Sequence, residues 1–200
     1  MPVGVPEEMF KENKDSQRQL NSILSLARLS PSKKIEQLIE ALSILKERRV
    51  EFTATICGTV TEQHKSYIDK LHEKVKVLGL QKDVVFTDGV SYKEVPQKFW
   101  KHEVSVNQSP SGMYDKTIFE GMMCGNLVLS CNKNLRGEID ERFLFQEDNA
   151  KEIADKLQSI FMLSEEEKEE HRSRMVQYAK KHHSLAYLSE RLKTELENIK

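Results

Sequence analysis

Several things are scarce in this 200-residue sequence, and each shortage removes a class of function. No apolar run approaches the roughly 20 residues that cross a bilayer, so no membrane span is expected. Positive charge is not in surplus. The 31 Lys and Arg stand against 32 Asp and Glu, a formal net charge of −1, whereas a nucleic-acid protein ordinarily carries a basic excess; no nucleic-acid partner is expected. Cysteine is rare and odd in number, at Cys57, Cys124 and Cys131. Two of these lie inside apolar patterns, where a thiol packs as a small hydrophobe, and the setting they suggest is reduced and cytoplasmic. The opening Met1-Pro2-Val3-Gly4-Val5-Pro6-Glu7-Glu8 has no basic stretch followed by an apolar one, so no signal peptide is expected. Gly-x-Gly-x-x-Gly and the Gly-Lys-Ser/Thr loop are both missing, which removes the dinucleotide fingerprint and the P-loop. His64, His72, His102, His171, His182 and His183 have no Cys or carboxylate at metal-ligand spacing beyond ordinary helical neighbours, and there is no Asp-x-Asp. Neither a metal nor a cofactor is expected.

What is present is a rhythm. After about twenty polar, irregular residues come apolar runs at Ile23 to Leu29, Phe52 to Cys57, Asp83 to Thr87, Val104 to Gln108 and Leu127 to Cys131. Between them lie stretches of helical period: Lys33 to Arg49, Glu62 to Leu78, Tyr92 to Trp100 (crossed by Pro96) and Lys116 to Cys124. Strands alternating with helices at this spacing predict an α/β fold, a doubly wound Rossmann-like parallel sheet with helices on both faces. Beyond Asn149 only helical patterns remain, at Ala150 to Leu163, Glu165 to Lys181 and Leu185 to Ile199. From Ser164 onward acidic and basic side chains are balanced at salt-bridge spacing, which reads as a solvated helical surface. The expected division is a linker at 1–21, a Rossmann-like domain at 22–163 and a C-terminal helical segment at 164–200.

Such a sheet binds ligands at the carboxyl ends of its strands. After the first strand stand Arg28-Leu29-Ser30-Pro31-Ser32-Lys33-Lys34, a guanidinium and two ammonium groups beside a helix start. These groups suit phosphate oxygens, although solvated basic residues look the same. After the fourth strand comes Ser109-Pro110-Ser111-Gly112-Met113-Tyr114-Asp115-Lys116, small enough for backbone N–H groups to approach a ligand, with Asp115 placed to cap the next helix. Glu120 falls in an otherwise apolar helix. A carboxylate there needs a partner, and either a ligand with vicinal hydroxyls or solvent would supply one.

At these residues the chain resembles the carboxyl-terminal, donor-binding domain of a GT-B glycosyltransferase of the large retaining family four, the glycosyl transferases group 1. That family reads Gly-Arg-Leu, three variable residues, then Lys-Gly; here stand Ala27-Arg28-Leu29-Ser30-Pro31-Ser32-Lys33-Lys34. Its third strand ends in Phe-x-Gly-x-Val, matched loosely by Phe86-Thr87-Asp88-Gly89-Val90. Its signature Leu-Glu-Ala-Met-Ala-x-Gly-x-Pro-Val is matched by Phe119-Glu120-Gly121-Met122-Met123-Cys124-Gly125-Asn126-Leu127-Val128. The sequence departs from the family at Lys34, usually Gly, and at Gly112, eight positions before Glu120, usually Glu.

The resemblance implies a metal-independent retaining hexosyltransferase that uses a UDP- or GDP-linked nucleotide-diphosphate sugar. Arg28 and Lys33 would hold the diphosphate and stabilise it as leaving group, helped by backbone N–H groups from Gly112, Met113 and Tyr114. Glu120 would take the ribose hydroxyls, and Asp88, Gly89, Val90 and Ser91 would border the base. It also implies a partner, the N-terminal Rossmann domain of the same protein. The expectation is therefore an excised half, inactive alone, with residues up to about Asn21 mobile and the last helix unanchored; the full-length protein would be cytoplasmic or peripheral at a membrane. Two other readings share these residues: a non-catalytic nucleotide-sugar-binding module, and a nucleotide-sugar epimerase.

Overall fold

A computed structural model describes residues 2–13, 15–109 and 114–198. The strands are β1 (Gln19–Leu26), β2 (Thr53–Gly58), β3 (Val84–Asp88), β4 (His102–Asn107) and β5 (Leu127–Ser130). They form one five-stranded sheet in the order β3-β2-β1-β4-β5, every pair parallel. The helices are α1 (Ile35–Glu47), α2 (Lys65–Val77), α3 (Val95–Lys101), α4 (Lys116–Met123), α5 (Ala150–Phe161), α6 (Glu165–His183) and α7 (Leu185–Glu197). The expected alternation and the doubly wound parallel sheet are what the chain forms.

The sheet is wound in two directions. From β1 the chain steps outward to β2 and β3, then crosses back to β4 and steps the other way to β5. Right-handed crossovers therefore put helices on opposite faces. Helices α1, α2 and α5 cluster on one face, and α4 packs with α3 and α6 on the other. Burial on both faces makes the inner strands continuously apolar: Ile23, Leu24, Val104, Leu127, Val128 and Leu129 are all fully buried. The order reverses between β1 and β4, and the crevice beyond their carboxyl ends is where this topology leaves room for a ligand.

Element boundaries moved for local reasons. The helix expected from Lys33 begins at Ile35, because Pro31–Lys33 is a 3-10 turn and Lys34 turns the chain at φ +49°. A non-glycine residue there is uncommon, and the family's glycine at this place fits the same backbone at no steric cost. Tyr92–Glu94 is likewise a 3-10 turn before α3, and Pro96 falls in the first turn of α3, where its missing N–H interrupts nothing.

Two expectations about the ends are corrected. Residues 2–13 and 15–18 form no helix or strand, yet several of them pack on the domain. Val5 and Phe10 have no exposed surface, Val5 N–H donates to the His183 carbonyl at 2.8 Å and Leu185 N–H donates to the Val5 carbonyl at 2.8 Å. Arg18 donates to the Cys124 carbonyl at 2.9 Å and the Trp100 indole to the Lys11 carbonyl at 2.7 Å. Apolar residues at isolated positions hide such docking from any periodicity. The second correction concerns α6, which is solvated on one face only. Its Lys168, His171, Arg172, Met175, Val176 and Ala179 are buried against α4 and β5. The ammonium of Lys168 lies 2.9 Å and the guanidinium of Arg172 3.6 Å from the carboxylate of Glu103, itself buried at the amino end of β4. Burial by itself would lower the Lys168 pKa; donation to Glu103 and Glu165 outweighs it and holds the value above normal. By contrast α7 buries no residue and leaves Leu185, Leu192 and Leu196 exposed.

Candidate functional site

The site forms because three strand ends are brought side by side. At Gly58 a side chain is impossible: a Cβ would lie 1.8 Å from the Ala27 carbonyl oxygen. At Gly89 a Cβ would lie 2.9 Å from the Thr59 nitrogen. Bare backbone at both positions lets the segments after β1, β2 and β3 run in contact.

Lys33 reaches across the switch point. From the turn after β1 its Nζ donates to Ser109 Oγ at 2.8 Å and meets Asp115 Oδ2 at 2.5 Å, both on the far side, after β4. Asp115 is the N-cap of α4, as expected, accepting from Thr117 N–H. It also accepts from Ser109 Oγ at 2.6 Å and from Thr117 Oγ1 at 2.9 Å. Asn107, at the end of β4, sets the frame: it accepts from Ser109 N–H at 3.0 Å and donates to Thr117 Oγ1 at 3.0 Å. Burial would raise the Asp115 pKa, but Lys33, Ser109 and Thr117 together hold it at about 2. An ammonium, two hydroxyls and one N–H of a helix start thus converge on one carboxylate, a set of groups equally suited to a phosphate.

Arg28 stands apart from this knot. It is exposed and lines a cleft of about 150 Å³ with Ser30, Ser32, Thr59, Thr61, Gln63 and His64, over the ends of β1 and β2. Lys34, the third cation of that turn, pairs with Asp148 at 2.7 Å.

Glu120 is 3% exposed on α4, so it does not simply face solvent. Its Oε1 accepts from the Tyr92 hydroxyl at 3.0 Å. Burial raises its pKa, opposed by the Tyr92 hydrogen bond and by Lys116 one turn away. The segment Asp88, Gly89, Val90 and Ser91 starts at the last residue of β3 and leads into Tyr92, and Gly89 packs on Thr59. Tyr114 packs edge-on against Phe119 at 5.0 Å and against His183 at 4.9 Å, and His183 stacks on Phe119 at 3.5 Å. Burial lowers the His183 pKa to about 4. Gly112 and Met113 lie outside the described residues.

The structure therefore brings Lys33 to the cap of α4, with Tyr114 just before that cap and Glu120 on the helix itself; Arg28 lies in a separate cleft over β1 and β2, and Asp88 to Ser91 reach the cluster only through Tyr92. Sequence reasoning missed Ser109, Asn107 and Thr117 as supports, the pairing of Asp115 with Lys33, and Tyr92 altogether. Asp115-Lys116-Thr117 was legible as a cap; nothing local marks Tyr92, whose partner is 28 residues away.

This is a doubly wound α/β domain with Lys33 and Asp115 paired across its switch point. Residues 6–182 match the model of the glycosyl transferases group 1, and the chain belongs to that family. It is 27% identical over 137 residues to mannosylfructose-phosphate synthase of Agrobacterium fabrum, a match covering 62% of this chain and 30% of that protein. Its fold matches Anabaena Alr3699/HepE, solved with UDP and glucose, at TM-score 0.84 and 18% identity, covering 98% of this chain and 55% of that one. Sucrose-phosphate synthase from Thermosynechococcus elongatus matches at TM-score 0.83 and 16% identity, with coverages of 100% and 52%. The C-terminal domain of a glycosyl transferase group 1 family protein, LpcC of Francisella tularensis, matches at TM-score 0.79 and 18% identity over its whole length and 91% of this chain. The chain thus spans about half the length of HepE and of sucrose-phosphate synthase, and less than a third of the curated relative. Among the described residues no helix is long and apolar enough to cross a membrane.

Proposed function

We propose that residues 22–163, with the docked α6, are the donor-binding half of a retaining glycosyltransferase, and that the chain binds a UDP- or GDP-linked sugar at the carboxyl end of its sheet. The buried carboxylate of Glu120 carries this reading. It lies on the helix whose cap meets Lys33, so one ligand with a diol at one end and a diphosphate next to it engages both. Glu120 accepts the two ribose hydroxyls. Lys33 and Arg28 take the diphosphate, with N–H groups at the start of α4. As the glycosidic bond breaks, negative charge builds on the departing diphosphate, and the two cations stabilise that charge more than the ground state. Residues Asp88 to Ser91 border the base. The acceptor, and residues that hold it, belong to a second Rossmann-like domain joined through residues 1–21, so the chain alone binds donor and transfers little or nothing. HepE was solved with UDP-glucose, which supports a nucleotide-diphosphate sugar as the ligand class.

The test is calorimetric titration with UDP and GDP. Glu120→Gln removes the charge and turns one acceptor into a donor, and binding is expected to weaken by about 1–3 kcal/mol. The 2′,3′-dideoxy nucleotide is expected to bind both proteins alike. Unchanged affinity of the ribonucleotide for Glu120→Gln would rule out the ribose role.

A further inference from the structure

Tyr92 is a half-exposed residue whose hydroxyl is committed to a buried group. Its relative exposure is 43%, so much of the side chain is open to water. Yet the hydroxyl donates to Glu120 Oε1 at 3.0 Å.

Three neighbours hold the ring for that contact. The 3-10 turn that carries it is closed by a capping box, with Ser91 N–H donating to Glu94 Oε2 at 3.0 Å. The fully buried ring of Phe10 lies 5.2 Å from the Tyr92 ring. The ammonium of Lys116 sits 5.0 Å over the same ring, an attractive arrangement for a cation and an aromatic face. Each contact comes from a different part of the chain. Together they restrict a side chain that would otherwise be free at the surface.

We propose that Tyr92 is a positioning residue for the diol-binding carboxylate, an inference that rests on the ribose reading of Glu120. An ionised carboxylate offers about four lone-pair sites. The phenol fills one on Oε1, which fixes the rotation of the carboxylate plane and leaves Oε2 and the second site of Oε1 for a vicinal diol. A carboxylate already oriented loses less freedom when ligand arrives. Tyr92 touches the ligand only through this carboxylate, so its effect is confined to nucleotides that carry both ribose hydroxyls.

The experiment titrates the 200-residue chain, Tyr92→Phe and Glu120→Gln with UDP, GDP, ADP and the 2′,3′-dideoxy form of whichever binds tightest. Tyr92→Phe keeps the ring, its packing on Phe10 and the Lys116 contact, and removes only the hydroxyl. Its affinity for the ribonucleotide is expected to fall roughly three- to tenfold, the size of one hydrogen bond, with the dideoxy affinity unmoved. A structural role alone would move both nucleotides together or neither, and either result overturns the proposal. If Glu120→Gln binds as tightly as wild type, the ribose reading itself falls and Tyr92 with it. If Glu120→Gln loses affinity and Tyr92→Phe does not, only the role of Tyr92 falls. A wild-type chain that binds none of the three nucleotides ends both.

Discussion

The two ends of the sheet each hold a knot of opposite charges, and the knots differ in how much water reaches them. At the amino end the side chains of Glu103, Lys168 and Arg172 are 1%, 4% and 7% exposed. At the carboxyl end those of Lys33 and Asp115 are 21% and 15% exposed. In the dry knot, drawing either cation away from Glu103 strands a buried carboxylate in a low-dielectric place. In the wetter one, water can cover a charge while it changes partner, so Lys33 can leave Asp115 for an incoming anion. A knot of opposite charges is thus a clamp at one edge and, at the other, open enough to water for its partners to change.

The largest expected effect tests the clamp. Glu103→Ala takes the buried partner from Lys168 and Arg172 and leaves them only the exposed Glu165 and Glu169, and urea unfolding is expected to show a loss of about 3–5 kcal/mol. Replacing Glu103, Lys168 and Arg172 together by apolar residues of similar volume is expected to cost far less, since no charge is then stranded. A loss below about 1 kcal/mol for Glu103→Ala would place this knot with exposed pairs and erase the contrast.

Next comes acid. His183 has a folded pKa of about 4, below the ordinary value of about 6.5. The unfolded chain therefore takes up a proton before the folded one does. Stability is complete above about pH 6.5 and falls as pH drops towards 4, by up to about 3 kcal/mol in all. His102, also lowered by burial, adds to the same window. His183→Phe keeps a ring on Phe119, and its stability curve is expected to be flatter between those pH values; an unchanged slope would mean that His183 is solvated.

The wet knot is tested by Lys33→Ala. UDP or GDP binding is expected to weaken by about 1–3 kcal/mol while stability changes by less than about 1 kcal/mol. Arg28→Ala is expected to act alike on binding, with a smaller effect on stability because it is exposed. Nucleosides without phosphates should barely sense either change; equal losses for both ligands would mean damage to the fold.

The smallest effect concerns Lys34, the cation that looked like a third phosphate ligand. Lys34→Gly relieves the φ +49° backbone but makes the unfolded chain freer and removes an exposed pair with Asp148. These contributions nearly cancel, and a thermal melt is expected to show a change under about 0.5 kcal/mol.

The residue pattern goes far on the sheet and less far on the site, for one physical reason. Strands and helices are written in local period, so the five strands and the order of helices are legible in the residues themselves. The carboxylate at 120 is legible because it breaks a local pattern. Tyr92, Ser109 and the pairing of Asp115 with Lys33 depend on which strand ends meet, and that follows from the winding order. Residues 164 onward mislead for a related reason: Lys168 and Arg172 are charged on a buried face, and their partner Glu103 lies 65 and 69 positions upstream. The docked start of the chain is invisible because Val5 and Phe10 belong to no periodic run.

That docking has a mechanical side. Val5 is hydrogen-bonded to both His183 and Leu185, on either side of the joint between α6 and α7, so the first residues and the last helix leave the body at one seam. Because Val5 and Ser184 pair in parallel, a pull applied between the two ends loads those two hydrogen bonds first and together, in shear. The parallel ladder of β1 with β2 and β4 carries no load until the seam has parted. In an optical trap the chain should therefore give way in two steps, a short extension at low force and then the sheet, and Phe10→Ala should lower only the first.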